Sequence, residues 1–246
     1  MTSPRFAIEP YPSLASTNDL VRERALGGEP EGLVVRAGIQ TRGRGRHGRS
    51  WASPTGNLYC SMLLRPERPL AEAATLSLVI GLSLADTLAE EAPGPELKWP
   101  NDVMVGGAKL AGILLESVIV GAKAPVIVAG IGVNVATCPK DLPYPATSLA
   151  GLGVDLPPES LLERFLEAFG RDYDCWRAGG FSALRERWLE RAHGRGREAR
   201  VRDGDRLIDG RFVDVDPEGR LVIDTRTGRR LIHAGELFFP LAEATS

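Results

Sequence analysis

Apolar positions fall into two patterns along this chain. Some form short β-branched runs bounded by Gly and Pro, and others form longer stretches with helical spacing. Residues 32–39 (GLVVRAGI), 57–64 (NLYCSMLL) and 125–135 (PVIVAGIGVNV) are of the first kind and predict buried strands. Residues 96–99 and 102–105 are short extended pieces either side of Pro100-Asn101. Gly106-Gly107 predicts a hairpin turn, and residues 109–120 return as a strand. Ser16-Thr17-Asn18 precedes DLVRERAL and Gly27-Gly28 closes it, which predicts a short capped helix. Residues 70–91 are rich in Ala and Leu with no internal Pro, and predict one long helix closed by Pro93-Gly94. Pro157-Pro158-Glu159 opens a helix that sets Leu161, Leu162, Phe165, Leu166 and Phe169 on one face, and residues 181–192 predict another.

The pattern changes at His193-Gly194-Arg195-Gly196. Downstream, residues 207–215, 221–225 and 230–233 alternate, with turns at Pro217-Glu218-Gly219 and Thr227-Gly228. They predict a small antiparallel barrel of about fifty residues. A module that size is near the lower limit for an independent core, so it is expected to dock on the first domain. The expected division is 1–192 and 193–246.

Composition narrows the partners. The net charge is -2 and the pI about 6.0, so the arginines of residues 41–51 are a local cluster in an acidic chain. That weighs against bulk nucleic-acid binding, which leaves a basic face. Cys60, Cys138 and Cys175 are widely spaced and suggest neither a disulfide framework nor a zinc site. The start shows no signal-peptide pattern. The longest apolar segment, residues 76–88, is broken by Ser77, Ser83 and Asp86 and reads as too polar to span a bilayer. A cytoplasmic protein with no membrane partner is expected. The only lysines are Lys98, Lys109, Lys123 and Lys140. A compact ammonium with a tunable pKa is the property arginine does not supply.

Three segments carry chemistry. The first is residues 41–51, TRGRGRHGRSW. Glycine allows close backbone approach and arginine supplies a permanent forked cation, so the segment reads as an anion clamp. Gly43 to Gly48 also matches G-x-G-x-x-G, but a turn and a strand follow where a dinucleotide fingerprint needs a helix, and Glu67 lies in a loop. The second segment is Lys98-Trp99-Pro100-Asn101-Asp102, a lysine at a strand end followed by an acid. The third is the strand starting at Lys109, where interior Gly112 marks either a bulge or close approach by a ligand. Taken singly, each has a plain structural reading: a solvated loop, a charged strand edge, a bulge.

Together these segments resemble the biotin–protein ligases. The resemblance rests on Ser16-Thr17-Asn18, Gln40 followed by the loop from Gly43 to Trp51, and the KWPND run from Lys98 to Asp102. It rests also on KLAGIL from Lys109, GIGVNV from Gly130 and ATSL from Ala146. The family's order is kept over about half the chain. It implies an α+β catalytic domain with a mixed central sheet, like class II aminoacyl-tRNA synthetases, and a small SH3-like C-terminal β-barrel. It implies biotin and ATP as substrates with Mg²⁺, a biotinyl-5′-adenylate intermediate, and a lysine of a biotin carboxyl carrier protein as acceptor. Lys98 and Arg46 are the implied catalytic residues. Biotin contacts are implied for Ser16, Thr17, Asn18, Gln40, Arg44, Gly45, Arg46, Lys98 and Gly112. Nucleotide contacts are implied for Arg44, Arg46, Trp51, Lys98, Asn101 and Asn134, with Asp102 a metal ligand or a partner of Lys98. Relatives are often homodimers, and the same is expected here, with no nucleic-acid partner. Some members carry a DNA-binding domain ahead of this region, but Ser16 stands close to Met1, so no repressor function is expected. The alternatives are a lipoate–protein ligase of the same fold and, more remotely, a nucleic-acid-binding module using the arginine loop.

Overall fold

A computed structural model describes residues 6–119, 125–140 and 142–239. Seven strands form the first sheet: β1 (Ala7–Leu14), β2 (Leu33–Gln40), β3 (Leu58–Leu64), β4 (Glu96–Lys98), β5 (Asp102–Val105), β6 (Ala108–Val118) and β7 (Val126–Val133). Their spatial order is β1-β2-β3-β7-β6-β5-β4. Only β1 and β2 pair in parallel, joined by helix α1 (Thr17–Leu26), so the sheet is mixed. The fold is α+β.

The sheet separates two apolar layers. On one face α1 sets Val21 and Ala25 against Val35, Leu63 and Val128. On the other, α2 (Leu70–Ala73), α3 (Leu76–Leu88), α4 (Pro158–Gly179) and α5 (Arg185–Glu190) cover Met62, Ala129, Ile131 and Ile113. α3 is buried on nearly every side, the condition under which a helix is apolar all round. Leu70–Leu88 is in fact long and apolar enough to cross a membrane, more so than the sequence reading allowed. Two thirds of it (67%) is buried in this fold, and core packing accounts for its composition.

In the first domain, four elements differ from expectation. β1 was not anticipated, because Pro10 and Pro12 interrupt it. Proline lacks the ladder N–H and is confined to sheet edges, which is where β1 lies. The single helix expected over 70–91 breaks at Thr75, whose N–H turns back to the Glu72 carbonyl while its hydroxyl bonds the same oxygen and accepts from Trp176 Nε1. The helix over 181–192 divides into a 3₁₀ turn (Phe181–Ala183) and α5. The strand expected to reach Val120 is seen to Val118, and Val120 lies outside the described residues.

The second sheet is five-stranded and antiparallel: β8 (Glu198–Asp203), β9 (Arg206–Val215), β10 (Leu221–Thr225), β11 (Gly228–Ile232) and β12 (Glu236–Phe238), in the order β11-β10-β9-β8-β12. It is the small SH3-like domain. β8 was missed because charged residues fill its exposed positions, and β12 because it is only three residues long. Its apolar residues Val201, Phe212, Leu221 and Ile223 join the helix-side core of the first domain. Trp99 Nε1 donates to the Gly219 carbonyl (3.0 Å), and Arg185 Nε to that of Val215 (2.6 Å). These contacts fix the small domain over one end of the first sheet.

Candidate active site

Strand register builds the floor of the site. Lys98 pairs with Asp102, Asp102 with Gly112, and Gly112 with Gly132. Directly paired residues project to the same sheet face, so the lysine, the acid and two bare glycines form one row. The glycines are there for space. A Cβ at Gly132 would stand 2.6 Å from the Trp51 indole, one at Gly112 3.1 Å from it, and one at Gly130 2.3 Å from Asn18 Oδ1. Trp51 therefore rests on strand backbone, and its Nε1 is buried with no partner, a donor left for a ligand. Gly132→Ala is expected to destabilise the fold by about 1–3 kcal/mol, the usual cost of overpacking. Chemical denaturation measures this, and an unchanged midpoint would mean that Trp51 is not held against the strand.

Above this floor lies a cavity of about 660 Å³. Ser16, Thr17, Asn18, Gln40, Arg44, Gly45, Arg46, Trp51, Lys98, Asn101, Asp102 and Gly112 all line it. Thirteen positions were anticipated, and Asn134 is the exception. It is 3% exposed, its Nδ2 donates to the Thr147 carbonyl (3.0 Å), and it ties the end of β7 to the following loop.

The polar residues divide into two groups. At the β3 side, Thr17 N and Oγ1 donate to Gln40 Oε1 (2.8 and 3.1 Å), and Gln40 Nε2 donates to Ser53 Oγ (3.2 Å). Ser61 Oγ lies 2.6 Å from Thr17 Oγ1 and 2.5 Å from Asn18 Oδ1. This is an uncharged cluster of amides and hydroxyls. Toward β6, β5 and β4, two to four strand spacings or roughly 10–19 Å from β3, the groups are charged: Lys109, Asp102 and Lys98, with Arg46 and Arg49 of the loop.

Most of the cations already have acidic partners. Lys109 Nζ lies 2.7 Å from Asp102 Oδ1 and above the Trp51 ring. Arg49 and Arg202 meet Glu236 of β12. Arg44 makes a two-pronged contact with Asp19 (2.9 and 2.7 Å) and also reaches Glu116. Among the described residues lining the cavity, Lys98 and Arg46 have no carboxylate partner. Lys98 Nζ sits over the Phe238 ring (5.9 Å), and Arg46 donates to Asn101 Oδ1 (3.1 Å) and the Gly235 carbonyl (3.2 Å). Burial lowers the pKa of both below their ordinary values. For Lys98 the charge of Asp102 opposes this and Lys109 adds to it. Two desolvated cations with Asp102 nearby but no ion-pair partner of their own make a site for an anion.

The loop that presents Arg46 is closed on itself. Gly45 N donates to the Arg49 carbonyl (2.7 Å) and Trp51 N to that of Gly43 (2.9 Å), with His47 and Gly48 at positive φ. Sequence reasoning missed Lys109, Glu236 and Phe238, which line the cavity, and Glu116, Asp19 and Ser61, which stand behind lining residues as their partners. Lys109 and Glu116 left a signal, the rare lysine and a charge inside an apolar strand. The β12 residues left none. No group of three or more His, Cys, Asp or Glu among the described residues could hold a metal alone. Asp102 Oδ1, buried and without a well-directed hydrogen bond, still offers one hard oxygen, which suits Mg²⁺ bound mainly through phosphates.

Comparison with known proteins agrees with this geometry. Residues 11–134 match the biotin/lipoate A/B protein ligase family, and residues 195–239 match the biotin protein ligase C-terminal domain. A biotin–[acetyl-CoA-carboxylase] ligase of Paracoccus denitrificans is 39% identical over 83% of this chain and 89% of its own. One of Mycobacterium tuberculosis is 35% identical, over 90% and 85%. Among solved structures, the biotin protein ligase of Aquifex aeolicus in complex with biotin and ATP superposes with a TM-score of 0.81 at 29% identity, covering 94% of this chain and 97% of that one. By sequence and by structure, the chain belongs to the biotin/lipoate A/B protein ligase family.

Proposed function

We propose that this chain is a biotin–protein ligase. It activates biotin with ATP and transfers the biotinyl group to a lysine of a biotin carboxyl carrier protein or domain. The observation that carries the reading is the division of the cavity. An uncharged cluster suits the ureido end of biotin, and the unpartnered cations Lys98 and Arg46, several strands away, suit its carboxylate and the α-phosphate.

In the first step a biotin carboxylate oxygen attacks the α-phosphorus, and the bond to the leaving pyrophosphate breaks. Two anions must meet, so fixed positive charge is what the reaction needs. Lys98 and Arg46 supply it, Asn101 orients Arg46, and Lys109, steadied by Asp102, adds charge beside Trp51. Mg²⁺ neutralises the phosphates when bound, and Asp102 would help hold it. In the second step the amine of the carrier lysine attacks the acyl carbon, an amide forms and AMP leaves with the bonding electrons. Ser16, Thr17, Asn18 and Gln40 line the biotin end. Gly45 and Gly112 allow the ligand to approach the backbone, and Arg44 acts from behind the loop. The division into 1–192 and 193–246 is supported by α5 ending at Glu190 and β8 beginning at Glu198.

Biotin-dependent ATP–pyrophosphate exchange tests the reading. Exchange is expected with biotin and not with lipoate, because a site lined with donors and acceptors discriminates against a ligand lacking the matching groups. Exchange with lipoate alone would favour the lipoate ligase alternative. A cytoplasmic homodimer acting without nucleic acid or membrane completes the proposal. Sedimentation of the purified chain tests the dimer.

A further inference from the structure

Arg44 stands in the loop beside Arg46, yet its charge is already spent. Both prongs of its guanidinium rest on Asp19 of α1, at 2.9 and 2.7 Å, and Nη2 lies 3.5 Å from each oxygen of Glu116 on β6. Its guanidinium faces two carboxylates, so it is engaged by the protein itself and not held free for a ligand anion. Glu116 has a second engagement. Its Oε2 accepts from Asn18 Nδ2 at 2.6 Å, and Asn18 Oδ1 in turn lies 2.5 Å from Ser61 Oγ. The bare backbone at Gly130 makes room for that amide. A single carboxylate on the sheet thus touches the uncharged end of the cavity and the root of the arginine loop.

We propose that Glu116 is a positioning residue that couples the two halves of the site, fixing Asn18 for the biotin end and anchoring the loop through Arg44. On this reading, which rests on the proposed ligase activity, Arg44 is the post on which the loop is hung, and Arg46 is the part that closes over the ligand. The two engagements are separable. Glutamine at 116 keeps a carbonyl oxygen for the Asn18 amide and gives up the charge that holds Arg44.

The test uses the full chain, with two readouts: KM for biotin in pyrophosphate release, and biotin transferred to lysozyme added as a bystander amine. Glu116→Ala is expected to raise KM about tenfold, the value of one charge-assisted hydrogen bond, and to raise bystander labelling. Glu116→Gln restores most of the KM while labelling stays high. Asp19→Asn, which loosens Arg44 without touching Asn18, raises labelling and leaves KM near that of the unaltered chain, so the idea remains testable if Glu116→Ala does not fold. If KM and labelling move together in all three variants, or neither moves while the unaltered chain is active, the coupling is wrong. An unaltered chain that releases no pyrophosphate with biotin overturns the ligase reading instead.

Discussion

Lys98→Met is expected to remove most adenylate formation and, at the same pH, to make the fold more stable. Both effects come from one property. The ammonium is buried above the Phe238 ring, with no carboxylate partner among the described residues, and burial lowers its pKa from the ordinary 10.5. The sign follows from linkage. A lysine whose folded pKa lies below its unfolded value costs stability, and the cost is largest below the folded pKa, where it is protonated in both states. The cost shrinks as pH rises from the folded pKa toward 10.5 and is gone above that. Methionine fills similar space without charge, so the thermal midpoint should rise near pH 7 and the gain should fade at alkaline pH.

Activity moves the other way. Loss of one fixed charge aimed at a developing anion typically costs about 10²–10³ in rate, or about 2.7–4 kcal/mol. The unaltered enzyme should also lose adenylation with rising pH earlier than a free lysine would, because the neutral amine cannot screen the carboxylate. Pyrophosphate release and thermal unfolding, measured across pH on both proteins, check this. A methionine variant that is fully active, or that is destabilised at neutral pH, would overturn the assignment.

The parts of this site that were legible in the sequence are those set by local spacing. Gly112 inside a strand marked a bulge or a close approach, and the run from Lys98 to Asp102 sets a lysine and an acid across a tight turn. What stayed hidden depends on contacts far apart in the chain. Nothing around Arg44 announces Asp19 and Glu116, 25 and 72 residues away, as its partners. The sequence therefore read Arg44 only as a ligand clamp, while the fold also pairs it with Asp19 and Glu116. Asn134 misled in the same manner, because a strand-end amide serves a loop carbonyl as readily as a nucleotide. β12 was invisible since a three-residue strand of Glu, Leu and Phe carries too little pattern, yet it brings Glu236 and Phe238 to the cavity. Periodicity marked most of the strands and helices, and the fold class came with the family resemblance. The division of labour among the arginines needed the tertiary structure.

Arg46→Gly is expected to turn a closed site into a leaking one. In the structure Arg46 Nη1 ties Asn101, in the β4–β5 turn, to the Gly235 carbonyl ahead of β12, so one side chain bridges the two domains across the cavity mouth. Biotinyl-adenylate is a mixed anhydride that reacts with water and with any unprotonated amine, and holding it requires a site that closes. Glycine removes the tie and a cation together and leaves the flanking loop freer. Adenylate should still form, more slowly, because Lys98 remains, but a large share should escape and label bystander amines. Arg49→Ala provides the contrast. Arg49 is 55% exposed, so its pair with the more buried Glu236 opens to solvent on the arginine side and is partly screened, and bystander labelling should change less than in Arg46→Gly. Arg46→Lys separates charge from geometry, since a lysine keeps the cation but loses the planar guanidinium whose Nη1 donates to both oxygens. It should recover adenylation better than retention. If Arg46→Gly held its adenylate as tightly as the unaltered enzyme, the bridge from Asn101 to Gly235 would have no part in closing the site.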